Sequence, residues 1–153
     1  MKSIWMHVAA LLFIPFAMGA AQVETVDVRL GAEGFTLEVV DDPESRRQGL
    51  MGREHLERNE GMLFDFPPGT KPAIWMWNMV ISLDLLFVDE QQQLVEVFAD
   101  VPPCEAAPCE IYQVEQPLRF VIEVAAGTAA RLGLERGMSL ELGDIADRAA
   151  PAR

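Results

Sequence analysis

The stretch with the densest set of chemically capable side chains runs from position 75 to 89, WMWNMVISLDLLFVD. Trp75 and Met76 offer apolar contact surface, and the amide of Asn78 can both donate and accept hydrogen bonds. Asp84 lies among apolar residues, where a carboxylate must be paired, hydrogen-bonded or shifted in pKa. Aromatic walls with a few convergent polar groups are typical of small-molecule pockets. We predict that these four residues bind a ligand; for Asn78 and Asp84 a purely structural role is the alternative.

Three arginines precede this stretch in the segment RRQGLMGR, residues 46–53. A guanidinium group fits a carboxylate in a bidentate manner, whether the carboxylate belongs to the protein or to a ligand. We therefore predict that Arg47 and Arg53 contribute to the same ligand site. The structural alternative is an internal ion pair between Arg53 and Asp84.

The side chains that common hydrolytic enzymes need are scarce. His55 is the only histidine beyond the first ten residues. The motifs H-E-x-x-H, C-x-x-C and G-x-S-x-G do not occur, nor does a phosphate-binding glycine loop. We assign no catalytic residue and expect no cofactor. The enzymatic alternative is a site that uses Asp84 or Glu123 as acid or base with Arg47 or Arg53.

Four methionines near the tryptophans raise the question of a soft metal: Met51, Met62, Met76 and Met79. Thioethers select Cu(I), so copper handling by these residues is a further alternative. Methionine also fills irregular gaps in cores and packs well on aromatic rings, and no closely spaced methionine repeat is present. We predict that the four methionines belong to the core and that the protein has no metal site.

Cys104 and Cys109 are the only two cysteines, and the loop around them is rich in proline. Their spacing is wider than that of a redox-active C-x-x-C pair. In an oxidising compartment two such cysteines pair with each other. We predict a structural disulfide, with redox chemistry and metal ligation as the alternatives.

The first 21 residues have the order of a secretory signal peptide. Lys2 supplies positive charge, an apolar run covers positions 8 to 18, and small residues follow at 19 to 21. This run is short for a bilayer span, which takes about 20 apolar residues, although an uncleaved anchor is the alternative. The sequence therefore predicts export to the periplasm or secretion.

The formal net charge of −12 limits the possible partners. Nucleic acids and anionic membranes are bound through basic surfaces, and removal of Lys2 with the signal peptide makes the chain more acidic still. We expect no nucleic acid partner, and no membrane association after signal cleavage. A small-molecule ligand or a protein partner of unknown identity remains.

The elements that must position these residues are mostly short strands. Alternating apolar residues on either side of a turn at 31–34 predict a hairpin. Asp42 and Pro43 are typical of a helix start, and we expect this helix to reach Met51. A second helical turn is predicted at 128–132. Further strands are predicted at 62–66, 74–79, 83–89, 94–99, 111–114, 118–124 and 138–142.

This order of elements predicts a mainly β fold, a compact antiparallel β-sandwich or barrel with one or two short helices. Residues 22–145 are expected to form a single β-rich domain, and residues 146–153 a frayed tail. The run at 83–89 is apolar on both faces, which is typical of a strand buried on both sides.

The same blocks resemble the bacterial and archaeal family known as domain of unknown function 192, from about residue 26 to 142. They are RRQGLMGR (46–53), EGMLF (60–64), the WM at 75–76 with Asn78, LDLLFVD (83–89) and VIEVAAGTAARLGLERG (121–137). The matching positions are Arg47, Gly49, Leu50, Met51, Arg53, Gly61, Met62, Phe64, Trp75, Met76, Asn78, Leu83, Asp84, Phe87 and Glu123. The resemblance implies a short, often exported, compact β protein, and it implies no activity, substrate or cofactor.

The chain departs from the family pattern at three positions. Trp77 occupies a position where a lysine or another polar residue is expected, and Met79 occupies one where a threonine is usual. Met138 follows a glycine at a position where the family often has an aspartate. The first two changes make a polar site there more apolar. We therefore predict an exported, non-enzymatic ligand-binding or accessory domain, whose site forms if Arg53, Trp75, Asn78 and Asp84 converge.

Overall fold

A computed structural model describes residues 23–152 of the chain. The predicted signal peptide, residues 1–21, lies outside this range. No helix between residues 23 and 152 has the length and apolar character needed to cross a membrane.

Strands make up most of the regular structure. In chain order the elements are β1 (Thr25–Leu30), β2 (Glu33–Val40), α1 (Pro43–Gln48), β3 (Glu60–Asp65), β4 (Ala73–Ile74), β5 (Leu83–Val88), β6 (Leu94–Val101), β7 (Tyr112–Gln113), β8 (Phe120–Ala125), α2 (Thr128–Leu132) and a 3-10 helix (Gly143–Asp147). Six strands form the main sheet in the order β1-β2-β3-β8-β5-β6, and β4 pairs with β7 in a second, small sheet. The mainly β fold with two short helices is thereby confirmed.

The main sheet is mixed, because β2 and β3 run parallel while every other neighbouring pair is antiparallel. Within the described residues the sheet does not close into a barrel, because β1 and β6 remain its edge strands. The predicted strand at 138–142 forms only single-residue bridges, from Glu141 to Arg29 and from Ser139 to Gln93. This segment therefore lies between the two edge strands of the sheet without extending either of them as a full strand.

Both faces of the sheet are covered, which explains why the central strands are buried on both sides. Phe120, Ile122 and Val124 of β8 face one cluster of buried residues, the first core, which also contains Ala129 of α2 and Ile145. The opposite face of the sheet packs against the second core, whose buried members include Leu50, Phe64, Ile74, Met79 and Val121. The candidate site lies on this second face.

Helix α1 begins where the sequence predicts. The Asp42 carboxylate accepts hydrogen bonds from the N–H groups of Glu44 at 2.8 Å and Ser45 at 3.1 Å, and Pro43 is the first helical residue. The helix ends at Gln48, earlier than the predicted Met51. Gly49 has φ +47°, a conformation that glycine adopts at low cost, and it turns the chain away from the helix axis.

The strand predicted at 74–79 is wrong beyond Ile74. The chain turns instead, with Asn78 at φ +58°. Cys104 holds this segment through a bridge to Trp77 and an N–H hydrogen bond to the Met76 carbonyl at 2.9 Å. The predicted disulfide between Cys104 and Cys109 is present in the structure. The disulfide loop thus supports the segment that carries the two tryptophans.

A buried ion pair holds the C-terminal segment to the sheet. The Arg119 guanidinium donates to both Asp65 carboxylate oxygens, at 3.0 and 3.1 Å, and both side chains are almost fully buried. Arg119 also donates to the carbonyls of Ile145, Ala146 and Arg148. The 3-10 helix is thereby fixed against the strands, an arrangement that local sequence patterns do not reveal.

Candidate functional site

A cavity of about 310 Å³ lies above the second core, between α1 with its following turn and the β4 segment. Its walls are mainly apolar, and they include Leu50, Met51, Phe64, Phe66, Ile74 and Met79. Three charged side chains also line it: Arg46, Arg47 and Glu123. An apolar space with a few polar groups has the character of small-molecule sites, although this volume is at the small end of their range.

Glu123 lies where an acidic residue is unexpected. It belongs to the central strand β8, and its side chain is on the second-core face, since Glu123 pairs with Met62 of β3 and Leu85 of β5. Both of these neighbours are buried and apolar, and Glu123 itself is only 5% exposed. Among the described residues its carboxyl group has no hydrogen bond and no ion pair.

The carboxyl oxygens of Glu123 must open onto the cavity. Within residues 23–152 no fully enclosed side-chain nitrogen or oxygen lacks a hydrogen-bond partner. Because the Glu123 carboxyl has no partner, its oxygens are not fully enclosed, and the space they border is the cavity. Burial raises the pKa of Glu123 from its ordinary value of 4.5 to about 8. At neutral pH this carboxyl is therefore mostly protonated and can both donate and accept a hydrogen bond.

Gly61 allows the strands around Glu123 to approach closely. A Cβ atom built at Gly61 would lie 2.3 Å from the Glu123 carbonyl oxygen and 2.9 Å from a Leu37 methyl carbon. Any side chain at position 61 would therefore displace β8 at the residue that carries the buried carboxyl group. Gly61 is thus a positioning residue for the inner end of the cavity.

The two arginines of α1 that border the cavity differ in their contacts. Arg46 donates to the backbone carbonyls of Asp41 and Asp65, and its guanidinium lies 5.3 Å from the centre of the Phe66 ring. Arg47 is exposed and has neither a hydrogen bond nor an ion pair among the described residues. Each of the other nine lysines and arginines within residues 23–152 has at least one polar partner. Arg47 is thus free to bind an anion.

An outer groove adjoins the cavity and shares Arg47, Gln48, Met51 and Trp75 with it. The groove is also lined by Trp77 and Asn78. Trp75 is 49% exposed and Trp77 is 37% exposed, which is high for tryptophan. Of the six residues predicted to bind ligand, three therefore lie together here: Arg47, Trp75 and Asn78.

The other three predicted ligand residues lie elsewhere. Met76 is buried in the second core and lines a separate groove at the disulfide loop. Arg53 forms a bidentate pair with Glu38 of β2, with Nη2 to Oε2 at 3.0 Å. The structural alternative, an ion pair between Arg53 and Asp84, is therefore wrong, because Arg53 already has a carboxylate partner within reach.

Asp84 does not line the cavity, and its contacts are structural. It is fully buried and accepts three backbone N–H hydrogen bonds, from Asp100 at 2.8 Å, Gly127 at 3.2 Å and Ala129 at 2.7 Å. Asp100 has a positive φ beside an irregularity in the pairing of β5 with β6, and Gly127 precedes α2. Asp84 thus ties a bulge in β6 and the start of α2 to the central sheet.

The methionines proposed for Cu(I) handling occupy the second core. Met62, Met76 and Met79 are buried there, and Met51 packs against the cluster. Within the described residues no group of three or more His, Cys, Asp or Glu side chains could hold a metal ion. Met51 and Met79 contribute soft apolar surface to the cavity wall.

The fold and the cavity define a small, mainly β protein with an almost fully buried acid, Glu123, at the inner end of an apolar site. The sequence profile of the DUF192 family, described as an uncharacterized ACR, matches residues 25–142. The chain belongs to this family. No curated protein matches it.

Two solved structures are similar to this chain. A candidate transcription regulator from Sinorhizobium meliloti 1021 is 33% identical with a TM-score of 0.72, and the match covers 80% of this chain and 97% of that one. A protein of unknown function from Novosphingobium aromaticivorans DSM 12444 is 29% identical with a TM-score of 0.68, over 87% of this chain and 93% of that one.

Proposed function

We propose that this protein binds a small organic molecule in the cavity between α1 and β4, without transforming it. The observation that carries the proposal is the Glu123 carboxyl, which is almost fully buried, unpartnered among the described residues and open to the cavity. A ligand that accepts or donates a hydrogen bond at this group would supply the missing partner.

A purely structural role explains Glu123 poorly. Burial of a polar group without a hydrogen bond costs on the order of 1–3 kcal/mol in proteins. Asp65 and Asp84, the two other buried acids within residues 23–152, are fully satisfied by Arg119 and by backbone N–H groups. Binding sites commonly retain such locally unfavourable groups because the ligand uses them.

The test is a fragment screen on the purified protein and two tryptophan variants, read by thermal unfolding. Ala73 is exposed and lines the cavity, so Ala73→Trp would place a large ring across its opening. Gln113 pairs with Ala73 across the β4–β7 ladder, is also exposed and does not line the cavity. Gln113→Trp is therefore the matched control.

We expect fragments with an apolar ring to raise the melting temperature of the wild type and of Gln113→Trp, but not of Ala73→Trp. A ligand at 100 times its Kd stabilises by about 2.7 kcal/mol, which corresponds to a rise of several degrees. Equal shifts in all three proteins, or no shift with any fragment, would contradict binding in this cavity.

DNA binding is not proposed, although one similar structure is described as a candidate transcription regulator. A net charge of −12 opposes association with the phosphate backbone, which dominates protein–DNA affinity. Among residues 23–152 the other exposed arginines are paired with carboxylates, so Arg47 is not part of a basic surface.

A second candidate is acid–base catalysis by Glu123, since a carboxyl group with a pKa near 8 is suited to proton transfer at neutral pH. Of the residues named for that alternative, Asp84 and Arg53 are already engaged, and Glu123 and Arg47 remain. Proton–deuterium exchange at carbon atoms of bound fragments, lost in Glu123→Gln, would favour catalysis over binding alone.

We also propose that the protein acts after export from the cytoplasm. The Cys104–Cys109 disulfide supports this, because disulfides persist mainly in oxidising compartments, and residues 1–21 have the pattern of a signal peptide. Osmotic-shock release of a form lacking about 21 residues, with no free thiol, is the expected result. A full-length, reduced form in the cytoplasm would contradict it.

A further inference from the structure

Resting on the proposed function, we infer that the cavity takes an amphiphilic organic monocarboxylate. Its apolar body would lie between α1 and β4, its carboxylate would pair with Arg47, and an uncharged hydrogen-bond acceptor at its other end would meet the Glu123 carboxyl group. The opening of the cavity determines the charge of this ligand, the walls determine its apolar body, and the inner end determines its uncharged polar group.

The opening favours a single negative charge. Arg47 has no polar partner among the described residues, so its bidentate donors are available for a carboxylate. The neighbouring Arg46 is held by the carbonyls of Asp41 and Asp65 and by Phe66. A dianionic phosphate usually needs several free donors, whereas one guanidinium is sufficient for a carboxylate.

A cationic ligand is disfavoured at the same place. Among residues 23–152 the charged side chains of α1 that line the cavity are Arg46 and Arg47, and an ammonium group there would meet two guanidinium groups. Asp42 and Glu44 line the adjoining outer groove but not the cavity. The walls that follow, among them Phe64, Ile74 and Met79, are apolar and suit a ring or a short hydrocarbon chain.

The inner end selects an uncharged acceptor. Glu123 is flanked by Met62 on β3 and Leu85 on β5, and the other charged groups that line the cavity are Arg46 and Arg47 from α1. Because its paired neighbours in the sheet are apolar rather than cationic, the carboxyl group stays mostly protonated at neutral pH and donates its O–H. A ligand hydroxyl or carbonyl oxygen is a suitable acceptor.

The inference is tested by calorimetric titration with four matched probes. 3-(4-Hydroxyphenyl)propionate carries all three features, 3-phenylpropionate lacks the hydroxyl group, tyramine has an ammonium group in place of the carboxylate, and 4-propylphenol has no charge. We expect the hydroxy acid to bind the wild-type protein most tightly of the four.

Variants assign each preference to a side chain. Arg47→Gln should lower the affinity for both acids roughly tenfold or more and leave 4-propylphenol unchanged. Arg136→Gln removes the same charge at an exposed site outside the cavity and serves as the control. Glu123→Leu should abolish the preference for the hydroxyl group, whereas Glu123→Gln, which can still donate, should retain it.

The pH profile gives a second readout. Above pH 8 Glu123 ionises and its carboxylate can only accept, so the wild-type protein should lose affinity for 3-(4-acetylphenyl)propionate, whose carbonyl can only accept, and Glu123→Gln should not. This ligand class would be overturned if tyramine bound more tightly than the hydroxy acid, or if 4-propylphenol bound as tightly. It would also be overturned if Arg136→Gln lowered the affinity as much as Arg47→Gln, or if the hydroxy acid did not bind at all. The fragment screen with Ala73→Trp decides separately whether the cavity binds any small molecule.

Discussion

Arg47 and Glu123 border the same cavity, and neither side chain has a hydrogen bond or an ion pair among the described residues. Arg47 is on the last turn of the exposed helix α1, while Glu123 is in the middle of the buried strand β8. Arg46, Arg53, Asp65 and Asp84, by contrast, each have a polar partner. The cavity thus brings together the two groups that are free to bind a ligand.

Glu123 should make the stability of the protein depend on pH in a defined window. Its pKa is about 8 in the folded state against an ordinary value of 4.5, so between these values the folded state holds one more proton. The contribution of Glu123 to the free energy of unfolding should therefore fall by about 1.4 kcal/mol per pH unit from pH 4.5 to about 8. Outside that range its contribution should be constant. Urea unfolding of the wild type and of Glu123→Gln across pH 4 to 9 measures it. Parallel curves for the two proteins would contradict a buried, uncharged Glu123.

Replacement of the buried acid by an apolar side chain should stabilise the fold. Glu123→Leu removes an unpartnered carboxyl group and places a side chain of similar size against Met62 and Leu85. We expect the free energy of unfolding at pH 7 to rise by about 1–3 kcal/mol, because apolar burial replaces polar burial. The gain should accompany a loss of ligand binding. A destabilised Glu123→Leu would show that the carboxyl group already has a stabilising partner.

Asp84 should behave as a structural residue. Asp84→Ala leaves three backbone N–H groups without an acceptor, of which that of Ala129 is buried, and we expect a loss of about 3 kcal/mol in the free energy of unfolding. Asp84→Asn keeps one acceptor oxygen and should be intermediate. Denaturant midpoints at 25 °C measure both variants. If either variant remained as stable as the wild type but lost affinity for the hydroxy acid, Asp84 would belong to the site after all.

Arg53 should contribute little to either stability or binding. Its pair with Glu38 is partly exposed, and such pairs contribute about 0–1 kcal/mol. A double-mutant cycle with Arg53→Gln and Glu38→Gln should give a coupling energy in that range, and Arg53→Gln should bind 3-phenylpropionate as the wild type does. A loss of affinity equal to that of Arg47→Gln would move the anion site from α1 to the turn after it.

The sequence predicts the local elements well where one residue type decides the conformation. Asp42 followed by Pro43 marks the start of α1, and alternation around Gly31 predicts the β1–β2 hairpin. The helix end at Gly49 and the turn at Asn78 depend on positive φ values that several nearby residues could have adopted. The parallel pairing of β2 with β3 joins segments that are distant in sequence, so no local pattern reveals it.

The site was predicted only in part, for a related reason. Alternation in β8 separates Phe120, Ile122 and Val124 from Val121 and Glu123, but it does not show what covers the second face. An acidic residue that alternates with apolar ones is expected to face solvent. Glu123 is buried instead, because α1 and β4 cover that face of the sheet. Similarly, the partner of Arg53 is Glu38 on β2. Only the tertiary structure shows that Arg47 is the arginine without a polar partner among residues 23–152.

The most direct test of the account is a crystal structure of the wild-type protein soaked with 3-(4-hydroxyphenyl)propionate. We predict density for the probe between α1 and β4, with its hydroxyl group within hydrogen-bond distance of the Glu123 carboxyl and its carboxylate at Arg47. The apolar ring should contact Phe64 and Ile74. A cavity that holds only water, with Glu123 bonded to that water at saturating probe, would contradict a ligand-binding function for this site.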